Sequence, residues 1–311
     1  MNILVTGGSG FIGSNLSDYL VNKGHSVSVI DNLSTGYISN LSSVIDAISF
    51  YEEKIEFFDF NKLPKIDVLV HLAAQPSVPI SVESFGSSSS SNIMGTIKVI
   101  DYCRINRVPL VFASSSAVYG NLELGDDINP RVDLLSPYAT DKYVMEIYAK
   151  TAFKLYQLPS IGLRFFNVYG PRQDSTSYYS GVISKFIDSL LRKEAITING
   201  GNQTRDFIYV KDVVDIIFKS ILTVSNTSIC EHSNVLTGRS ITINELANML
   251  IKKIGVSVDK NYQKLPLGDP KQSNGTINKM VELLKVDLNQ MTPIDTGLSK
   301  TVDFMRGQAY K

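Results

Sequence analysis

The sequence predicts an α/β protein in which helices cover both faces of a parallel sheet, an arrangement called doubly wound. Three observations lead to this fold class. Short apolar segments alternate with amphipathic helical segments through the first half of the chain, a glycine-rich turn joins the first such pair, and Asp31 ends the second apolar segment. Strands and helices that alternate at this spacing form parallel sheets, in which ligands bind beyond the carboxyl ends of the strands.

The elements follow one another in a regular order. The predicted strands of the sheet are residues 2–7, 25–31, 66–74, 108–116 and 159–167. The predicted helices between them include residues 15–24, 92–106 and 136–150, and the serine run at 85–92 is expected to be a mobile loop before a helix. Beyond residue 170, where strands are shorter and turns more frequent, helices are predicted at 181–194 and 242–255. We assign residues 171–311 to a smaller α/β substrate-binding domain, from which one or two segments can return to the main sheet.

The composition excludes several classes of partner. The 311 residues include 30 basic and 30 acidic side chains with no prominent run of like charge, so no nucleic-acid binding is predicted. No apolar run reaches the ~20 residues of a membrane span, and the N-terminal segment lacks the features of a signal peptide. Two cysteines, Cys103 and Cys230, fit a reducing compartment better than a disulfide framework. We therefore expect a cytoplasmic protein without membrane insertion; no metal site is predicted.

The first strand runs into a turn that contains Gly7, Gly10 and Gly13. Glycine lets the backbone turn tightly and approach a ligand closely, and the helix that follows offers free N–H groups to a diphosphate. At the end of the second strand, the Asp31 carboxylate can accept hydrogen bonds from both ribose hydroxyls of an adenosine and would repel a 2′-phosphate. The alternative for Asp31 is a turn or capping role. The sequence thus predicts a Rossmann domain, residues 1–170, that binds NAD rather than NADP.

Tyr138 and Lys142 lie four residues apart near the start of a predicted helix and therefore share one face. A free phenol has a pKa of about 10 and is a poor base at neutral pH. A nearby ammonium and the positive charge of an oxidised nicotinamide both favour the phenolate, which would make Tyr138 a general base. A serine cluster, residues 114–116, ends a strand at the same rim of the sheet, so one of its hydroxyls can join the phenol. The alternative is a solvated helix face, which the dinucleotide motif upstream disfavours.

Seven segments occur in a characteristic order: TGGSGFIG, DNLSTG, HLAA, SSSAVYG, YATDK, RFFNVYGPRQ and TRDFIYVKDV. In this order they resemble the extended short-chain dehydrogenase/reductase superfamily. The similarity is greatest to its nucleotide-sugar epimerases, of the UDP-glucose and UDP-N-acetylglucosamine 4-epimerase kind. The resemblance covers nearly the whole chain and weakens after about residue 275.

The resemblance implies roles for individual residues. Tyr138 would be the catalytic base, Lys142 would orient the nicotinamide ribose, and Ser115 would bind the sugar hydroxyl, with Ser114 and Ser116 as alternatives to Ser115. The implied NAD-binding residues are Gly7, Gly10, Phe11, Ile12, Gly13, Asp31, Asn32, Ser34, Thr35, Gly36, Asp59, Phe60, Leu72, Ala73, Ala74, Asn92, Tyr138, Lys142 and Phe166. The implied substrate-binding residues are Ser77, Ser115, Ser116, Tyr138, Asn167, Val182, Thr197, Asn199, Arg205, Asp269 and Ser273. A turn or capping role is the alternative for Asn167 and Asp269.

The residues after Ser115 bear on the type of reaction. Dehydratases and decarboxylases of the superfamily usually carry an acidic residue there, whereas Ser116 and Ala117 cannot act as general acid or base. The resemblance therefore implies 4-epimerisation of a UDP-hexose through a transient 4-keto sugar, with tightly bound NAD regenerated in each cycle. Related epimerases with a bulky Tyr at the position of Ser273 have little room near the sugar 2-substituent. The small serine favours UDP-GlcNAc and UDP-GalNAc, with UDP-Glc and UDP-Gal as further candidates.

The pattern of the family is not complete. An arginine that often grips the diphosphate is replaced by Pro266, and neither Lys264 nor Lys271 reproduces a bidentate guanidinium, so a lipid-linked diphosphate sugar stays open. Two alternatives to the 4-epimerase are another superfamily enzyme, such as a uronate epimerase or keto-sugar reductase, and a non-catalytic NAD-binding regulator. Residues 92–106 and 136–150 carry apolar side chains around much of each helix. We expect them to form a homodimer interface, the alternative being that the second domain covers them.

Overall fold

The computed structural model of the protein describes residues 1–175, 181–265 and 269–309. The strands are β1 (Asn2–Thr6), β2 (Ser26–Asp31), β3 (Ile48–Glu52), β4 (Val68–His71), β5 (Leu110–Ser115), β6 (Ser160–Phe165), β7 (Asn167–Tyr169), β8 (Ile196–Asn199), β9 (Thr204–Tyr209), β10 (Cys230–Val235), β11 (Ser240–Thr242) and β12 (Lys260–Gln263). The α-helices are α1 (Phe11–Asn22), α2 (Val78–Glu83), α3 (Phe85–Ser89), α4 (Gly95–Asn106), α5 (Pro137–Tyr156), α6 (Val182–Leu191), α7 (Val210–Asn226), α8 (Ile243–Ile254), α9 (Asn278–Leu284) and α10 (Ile294–Ala309).

A seven-stranded parallel sheet forms the centre, in the order β10-β6-β5-β4-β1-β2-β3. Every residue of β4 and β6 is buried, which is expected of strands covered on both faces. One face packs against α1, α7 and α9, and the other against α4 and α5. The predicted doubly wound sheet of Rossmann type is therefore confirmed.

The later part of the chain contributes both to this sheet and to a separate layer. β10 pairs in parallel with β6 at the edge of the main sheet. The remaining strands form two small sheets, β11-β9-β7 and β12-β8, which share an apolar cluster with α6, α8 and α10. Ile187, Leu246 and Leu298 are fully buried in this cluster. Within the described ranges, none of the helices has the length and apolarity that crossing a bilayer requires.

The serine run at 85–92 is helical, so the predicted loop is wrong. It forms α3 and then a π-helical turn, Ser90–Met94, that leads into α4. Buried polar contacts explain this structure, because Ser88 Oγ donates to Gln75 Oε1 (3.3 Å) and Asn92 Oδ1 accepts from the Gln75 N–H (2.8 Å). Helical spacing directs both side chains toward Gln75, a contact that composition does not reveal.

Candidate active site

The glycine turn after β1 is a cradle of bare backbone. A Cβ on Gly13 would lie 2.1 Å from the Gly7 carbonyl oxygen, and one on Gly36 would lie 2.7 Å from the Ser9 carbonyl carbon. Gly7 itself has a φ of +71°. Gly10 caps α1 without a side-chain hydrogen bond, so the first N–H groups of the helix face this cradle. The arrangement fits a diphosphate group, which is attracted by the N-terminus of the helix.

Asp31 lies at the carboxyl end of β2, next to the cradle, and is only 7% exposed. Its Oδ2 accepts from the Ser9 N–H and its Oδ1 from the Leu33 N–H, both at 2.8 Å, which leaves one lone pair on each oxygen for ribose hydroxyls. Ser9 was not predicted from the sequence. Its buried Oγ has no hydrogen-bond partner among the described residues, so it too can serve a polar ligand. These residues fit the adenosine half of NAD.

The other predicted residues of this region lie around the same turn. Asn32 Oδ1 accepts from the Ser34 N–H (3.1 Å), which closes the loop that contains Ser34, Thr35 and Gly36. The side chains of Phe11 and Ile12 pack into apolar clusters, so only their backbone is directed to the cradle. After β4, Leu72, Ala73 and Ala74 follow the neighbouring strand, and a Cβ on Gly7 would lie 2.6 Å from the Ala73 nitrogen.

Four of the residues predicted to bind NAD use their side chains within the protein. Asp59 caps a short 3-10 turn through the Asn61 N–H (3.1 Å), and Phe60 stacks on Tyr102 with ring centroids 4.5 Å apart. Phe166 is buried beside Tyr119. The Asn92 amide donates to Asp141 Oδ2 (3.0 Å) and to the Gln75 carbonyl (3.3 Å). Contact with a cofactor through these side chains therefore stays a prediction, and their visible role is to hold the surrounding backbone.

Ser115, Tyr138 and Lys142 converge at the carboxyl end of β5. The Ser115 hydroxyl accepts from the Ala117 N–H (3.1 Å) and is near enough to the Tyr138 phenol to lower its pKa. The Lys142 Nζ donates to the Ala113 carbonyl (2.8 Å) and lies 5.7 Å from the centroid of the Tyr138 ring. Three groups with the chemistry of a hydroxyl-oxidising site thus meet at the strand edge.

The alternation of side chains along β5 separates Ser115 from its neighbours. Ser114 Oγ donates to Glu146 Oε1 (2.5 Å), away from the phenol. Ser116 begins the 3-10 turn Ser116–Tyr119. Since Ser115 is the member of the cluster that reaches Tyr138, the geometry favours Ser115 among the three serines.

The pKa of Tyr138 differs from the expectation that a nearby ammonium would favour its phenolate form. Burial raises the pKa of Tyr138 above its ordinary value, while the hydrogen bond from Ser115 lowers it. Burial also lowers the pKa of Lys142 to about 8. The protein's own groups therefore do not make Tyr138 a phenolate at neutral pH, because the desolvation of the phenol outweighs them. The positive charge of an oxidised nicotinamide is the remaining contribution that the sequence predicted.

The start of α5 holds Tyr138 in place. Ser136 Oγ accepts from the Ala139 N–H (3.1 Å) as the N-cap, and Pro137 occupies the first turn. The Tyr138 N–H donates to Ser81 Oγ (3.1 Å) of α2, which fixes the two helices together. Ser77, a predicted substrate residue, caps α2 one turn earlier by accepting from the Ile80 N–H (3.2 Å).

A cavity of about 510 Å³ lies between the small sheets and α6. Six predicted substrate residues line it, namely Asn167, Val182, Thr197, Asn199, Arg205 and Asp269. Asn167 follows β6, whose Phe165 is the direct neighbour of Ser115 in the sheet. The strand that leads to the cavity is therefore the direct neighbour of the strand that ends at Ser115. Lys185 and Gln203, which had no motif to mark them, line it as well.

The contacts in the cavity bear on the predicted substrate residues that had alternatives. Asn167 Nδ2 donates to the Asp206 carbonyl (3.0 Å) and lies 3.5 Å from Ser273 Oγ, so Ser273 is adjacent to the cavity. Asp269 forms an ion pair with Arg205, which makes it a partner of the cation rather than a cap. Pro266 lies outside the described residues.

Residues 3–235 match the NAD dependent epimerase/dehydratase family. The chain belongs to this family. Membership confirms the prediction of an NAD-dependent enzyme of the epimerase group, with NAD as its cofactor. It disfavours the non-catalytic alternative, as does the convergence of Tyr138, Lys142 and Ser115 described above.

Individual relatives resemble the chain over its full length. A putative UDP-glucose 4-epimerase of Methanocaldococcus jannaschii is 37% identical over 317 residues, which cover 98% of each chain. The solved structure of a UDP-N-acetylglucosamine 4-epimerase from Methanobrevibacter ruminantium M1, in complex with UDP-N-acetylmuramic acid, has a TM-score of 0.92 at 35% identity and covers 99% of this chain and 98% of its own. The structure of UDP-glucose 4-epimerase from Thermotoga maritima, with UDP-glucose, has a TM-score of 0.91 at 34% identity. The match covers 99% of this chain and 100% of that one. The predicted resemblance to nucleotide-sugar 4-epimerases is thereby confirmed.

Proposed function

We propose that the protein interconverts UDP-GlcNAc and UDP-GalNAc by epimerisation at carbon 4 of the sugar. The observation that carries this proposal is the meeting of Ser115, Tyr138 and Lys142 at the end of β5. The choice of sugar is supported by the small Ser273, which lies beside the cavity residue Asn167. A serine leaves space for an acetamido group on carbon 2. Similarity to solved 4-epimerases of both UDP-GlcNAc and UDP-glucose supports the reaction type.

The chain's own residues would divide the chemistry as follows. Tyr138 accepts the proton of the 4-hydroxyl, directly or through Ser115, and returns a proton when the epimer forms. NAD, when bound, supplies the acceptor and donor of the hydride at carbon 4. Lys142, fixed by the Ala113 carbonyl, would orient the nicotinamide ribose and contribute positive charge near the phenol. Exclusion of water follows from burial of Lys142, which is 2% exposed.

Arg205 would hold the diphosphate in the cavity. Its guanidinium is anchored by Asp269 and by the Thr204 carbonyl (2.8 Å), so it is already oriented. Lys185, in the wall formed by α6, places a second cation in the same cavity. A UDP carrier is therefore the first candidate, and the sequence prediction of a lipid-linked alternative becomes a control substrate.

The first experiment is one incubation of purified protein with UDP-GlcNAc and no added NAD. We expect UDP-GalNAc to accumulate to an equilibrium mixture, detected by NMR, because the cofactor is retained and regenerated. Parallel incubations contain UDP-Glc, UDP-glucuronate or a lipid-diphosphate GlcNAc. Absence of conversion of UDP-GlcNAc even with NAD supplied would reject this substrate, and conversion of another would replace it.

Ser273→Tyr tests the argument about size. The bulky ring should reduce turnover of UDP-GlcNAc by at least about tenfold while sparing UDP-Glc, since a steric clash in a pocket is worth roughly 1–3 kcal/mol. Ser228→Tyr, at an exposed position remote from the cavity, is the matched control and should leave both rates unchanged. Equal loss on both substrates would contradict the assignment of Ser273 to the 2-substituent.

A homodimer is part of the proposal. Ile105 of α4 and Ile147 and Leu155 of α5 are 62%, 48% and 67% exposed, so the second domain does not cover these helices. Large apolar side chains on two adjacent helices are typical of an interface between copies of a chain. A cytoplasmic location stays the expectation from the sequence.

A further inference from the structure

Asp141 is a buried carboxylate that the proposed chemistry does not use. It precedes Lys142 on α5, is 1% exposed, and accepts a hydrogen bond from Asn92 Nδ2 at 3.0 Å. Burial of a carboxylate is costly unless other groups compensate for it. It lies three residues after Tyr138, on the same side of the helix as that residue, and directly precedes Lys142 in the sequence.

The hydrogen bonds of Asn92 extend the influence of Asp141 to another element. Asn92 Oδ1 accepts from the Gln75 N–H (2.8 Å), and its Nδ2 also donates to the Gln75 carbonyl (3.3 Å). Gln75 lies in the turn after β4, directly following the predicted cofactor-lining residues. Asp141 therefore connects that turn to the helix that carries Tyr138 and Lys142.

The negative charge of Asp141 acts on both catalytic groups. Burial lowers the pKa of Lys142, and Asp141 opposes this change; Asp141 also raises the pKa of Tyr138, although less than burial does. Two other titratable side chains lie near this cluster, and their charges are accounted for by burial or by an ion pair. His71 of β4 is neutral because burial lowers its pKa to about 3, and Glu146, one turn further along α5, is paired with Arg164 of β6.

We propose that Asp141 is a positioning residue that keeps the buried Lys142 ammonium charged and fixes the turn after β4 against the catalytic helix through Asn92. Lys142 is held by a neutral carbonyl, so a negative charge nearby is what favours its protonated form. The part of this proposal that concerns catalysis rests on the proposed function. The part that concerns Lys142 and the turn does not.

The test measures the protonation of Lys142 without substrate. The side-chain chemical shift of Lys142, followed by NMR over a range of pH in protein labelled with ¹³C-lysine and assigned with Lys142→Arg, gives the midpoint of its titration in the intact protein. Asp141→Asn retains an oxygen for Asn92 but removes the charge, so the midpoint should move to lower pH by about one unit. Asp127→Asn is the matched control, because Asp127 is fully buried and accepts from the Asn234 N–H (2.8 Å) in a different part of the fold. An unchanged midpoint in Asp141→Asn, or an equal shift in the control, would overturn the proposal.

The catalytic consequence has its own signature. In Asp141→Asn, loss of the negative charge stabilises the phenolate and destabilises the ammonium, so both limbs of the pH–rate profile should move to lower pH. Asp141→Ala also removes the hydrogen bond to Asn92 and should in addition release NAD more readily during gel filtration. If the epimerase reaction itself were misassigned, the midpoint of the Lys142 titration would still shift. If Asp141→Asn lowered the rate equally at every pH and left the shape of the pH–rate profile unchanged, the proposed effect of the Asp141 charge on catalysis would be rejected.

Discussion

At the scale of a single residue, Tyr138 is the proposed acceptor of the proton. Tyr138→Phe should reduce epimerisation by roughly 10²–10⁴-fold, because the ring can still pack but has no group to accept a proton. Initial rates measured by NMR would test this, with retention of NAD checked by absorbance. Tyr148→Phe is the control, since this tyrosine is 43% exposed on the same helix. Comparable loss in both variants would mean that the helix, not the hydroxyl, had been damaged.

His71 makes folding dependent on pH. Thr96 Oγ1 donates to the Asn92 carbonyl (2.7 Å) and so accepts from His71 Nε2 (3.2 Å). In the neutral ring Nδ1 is then the acceptor, and Thr6 Oγ1 donates to it (2.7 Å). Burial lowers the pKa of His71 to about 3, below its value of about 6.5 in the unfolded chain. The neutral ring thus stabilises the fold above pH 6.5, and this contribution is lost as the pH falls from 6.5 toward 3.

The expected loss for His71 between pH 6.5 and 5 is about 2 kcal/mol, at roughly 1.36 kcal/mol per pH unit. Urea denaturation at pH 7 and pH 5 should show a steeper fall in the unfolding free energy of the natural protein than of His71→Asn. His25→Asn, which removes a more exposed histidine, should keep the steep fall. Parallel curves for the natural protein and His71→Asn would refute the assignment.

At the scale of elements, a buried ion pair joins α5 to the sheet. Arg164 of β6 is fully buried and donates to both oxygens of Glu146, at 2.8 and 2.6 Å, and to the Tyr119 hydroxyl at 2.8 Å. Burial raises the pKa of Tyr119 to about 12, so this phenol stays neutral and accepts from the arginine.

Removal of one partner of this pair should be costly. Glu146→Ala leaves the Arg164 guanidinium buried without its carboxylate and should lower the unfolding free energy by roughly 3–5 kcal/mol. Asp101→Ala breaks the exposed pair with Arg104 on α4 and should cost less than about 1 kcal/mol. Chemical denaturation of both variants gives the comparison. Similar small losses would show that the chain relaxes around the unpaired arginine.

Local patterns predicted five of the seven strands of the main sheet, because each of these five is an apolar run next to a turn. They did not predict β3, and β10 was covered only by the expectation that later segments can return to the sheet, since its sequence is CEHSNV and not an apolar run. The strand that ends at Ser115 was predicted to continue one residue further, and the strand at 66–74 is confined to Val68–His71. The prediction of a loop for the serine run was wrong because the helical form of this segment depends on Gln75, more than ten residues away in sequence. Likewise, the resemblance favoured Ser115 but left Ser114 as an alternative until the structure placed Glu146 beside Ser114. In both cases the outcome depends on side-chain contacts between segments that are distant in sequence.

At the scale of the whole molecule, α4 and α5 present the proposed dimer interface. Ile147→Glu combined with Leu155→Glu should convert a dimer to a monomer at micromolar concentration, because two charges would be buried without partners. Light scattering coupled to gel filtration measures the mass. Leu222→Glu, at a position 41% exposed on α7 on the other face of the sheet, should leave the dimer intact. A natural protein that is already monomeric would end this hypothesis.

The order of strands in the main sheet also shapes how the molecule is made. β6 is synthesised well before β10, and some sixty residues, from the other layer and from α7, lie between them in sequence. Until β10 arrives, a growing chain exposes the unpaired hydrogen-bonding edge of β6, which is the kind of edge that recruits other strands. A ribosome-bound intermediate that ends near residue 220 is therefore vulnerable to aggregation through this edge until β10 has been made.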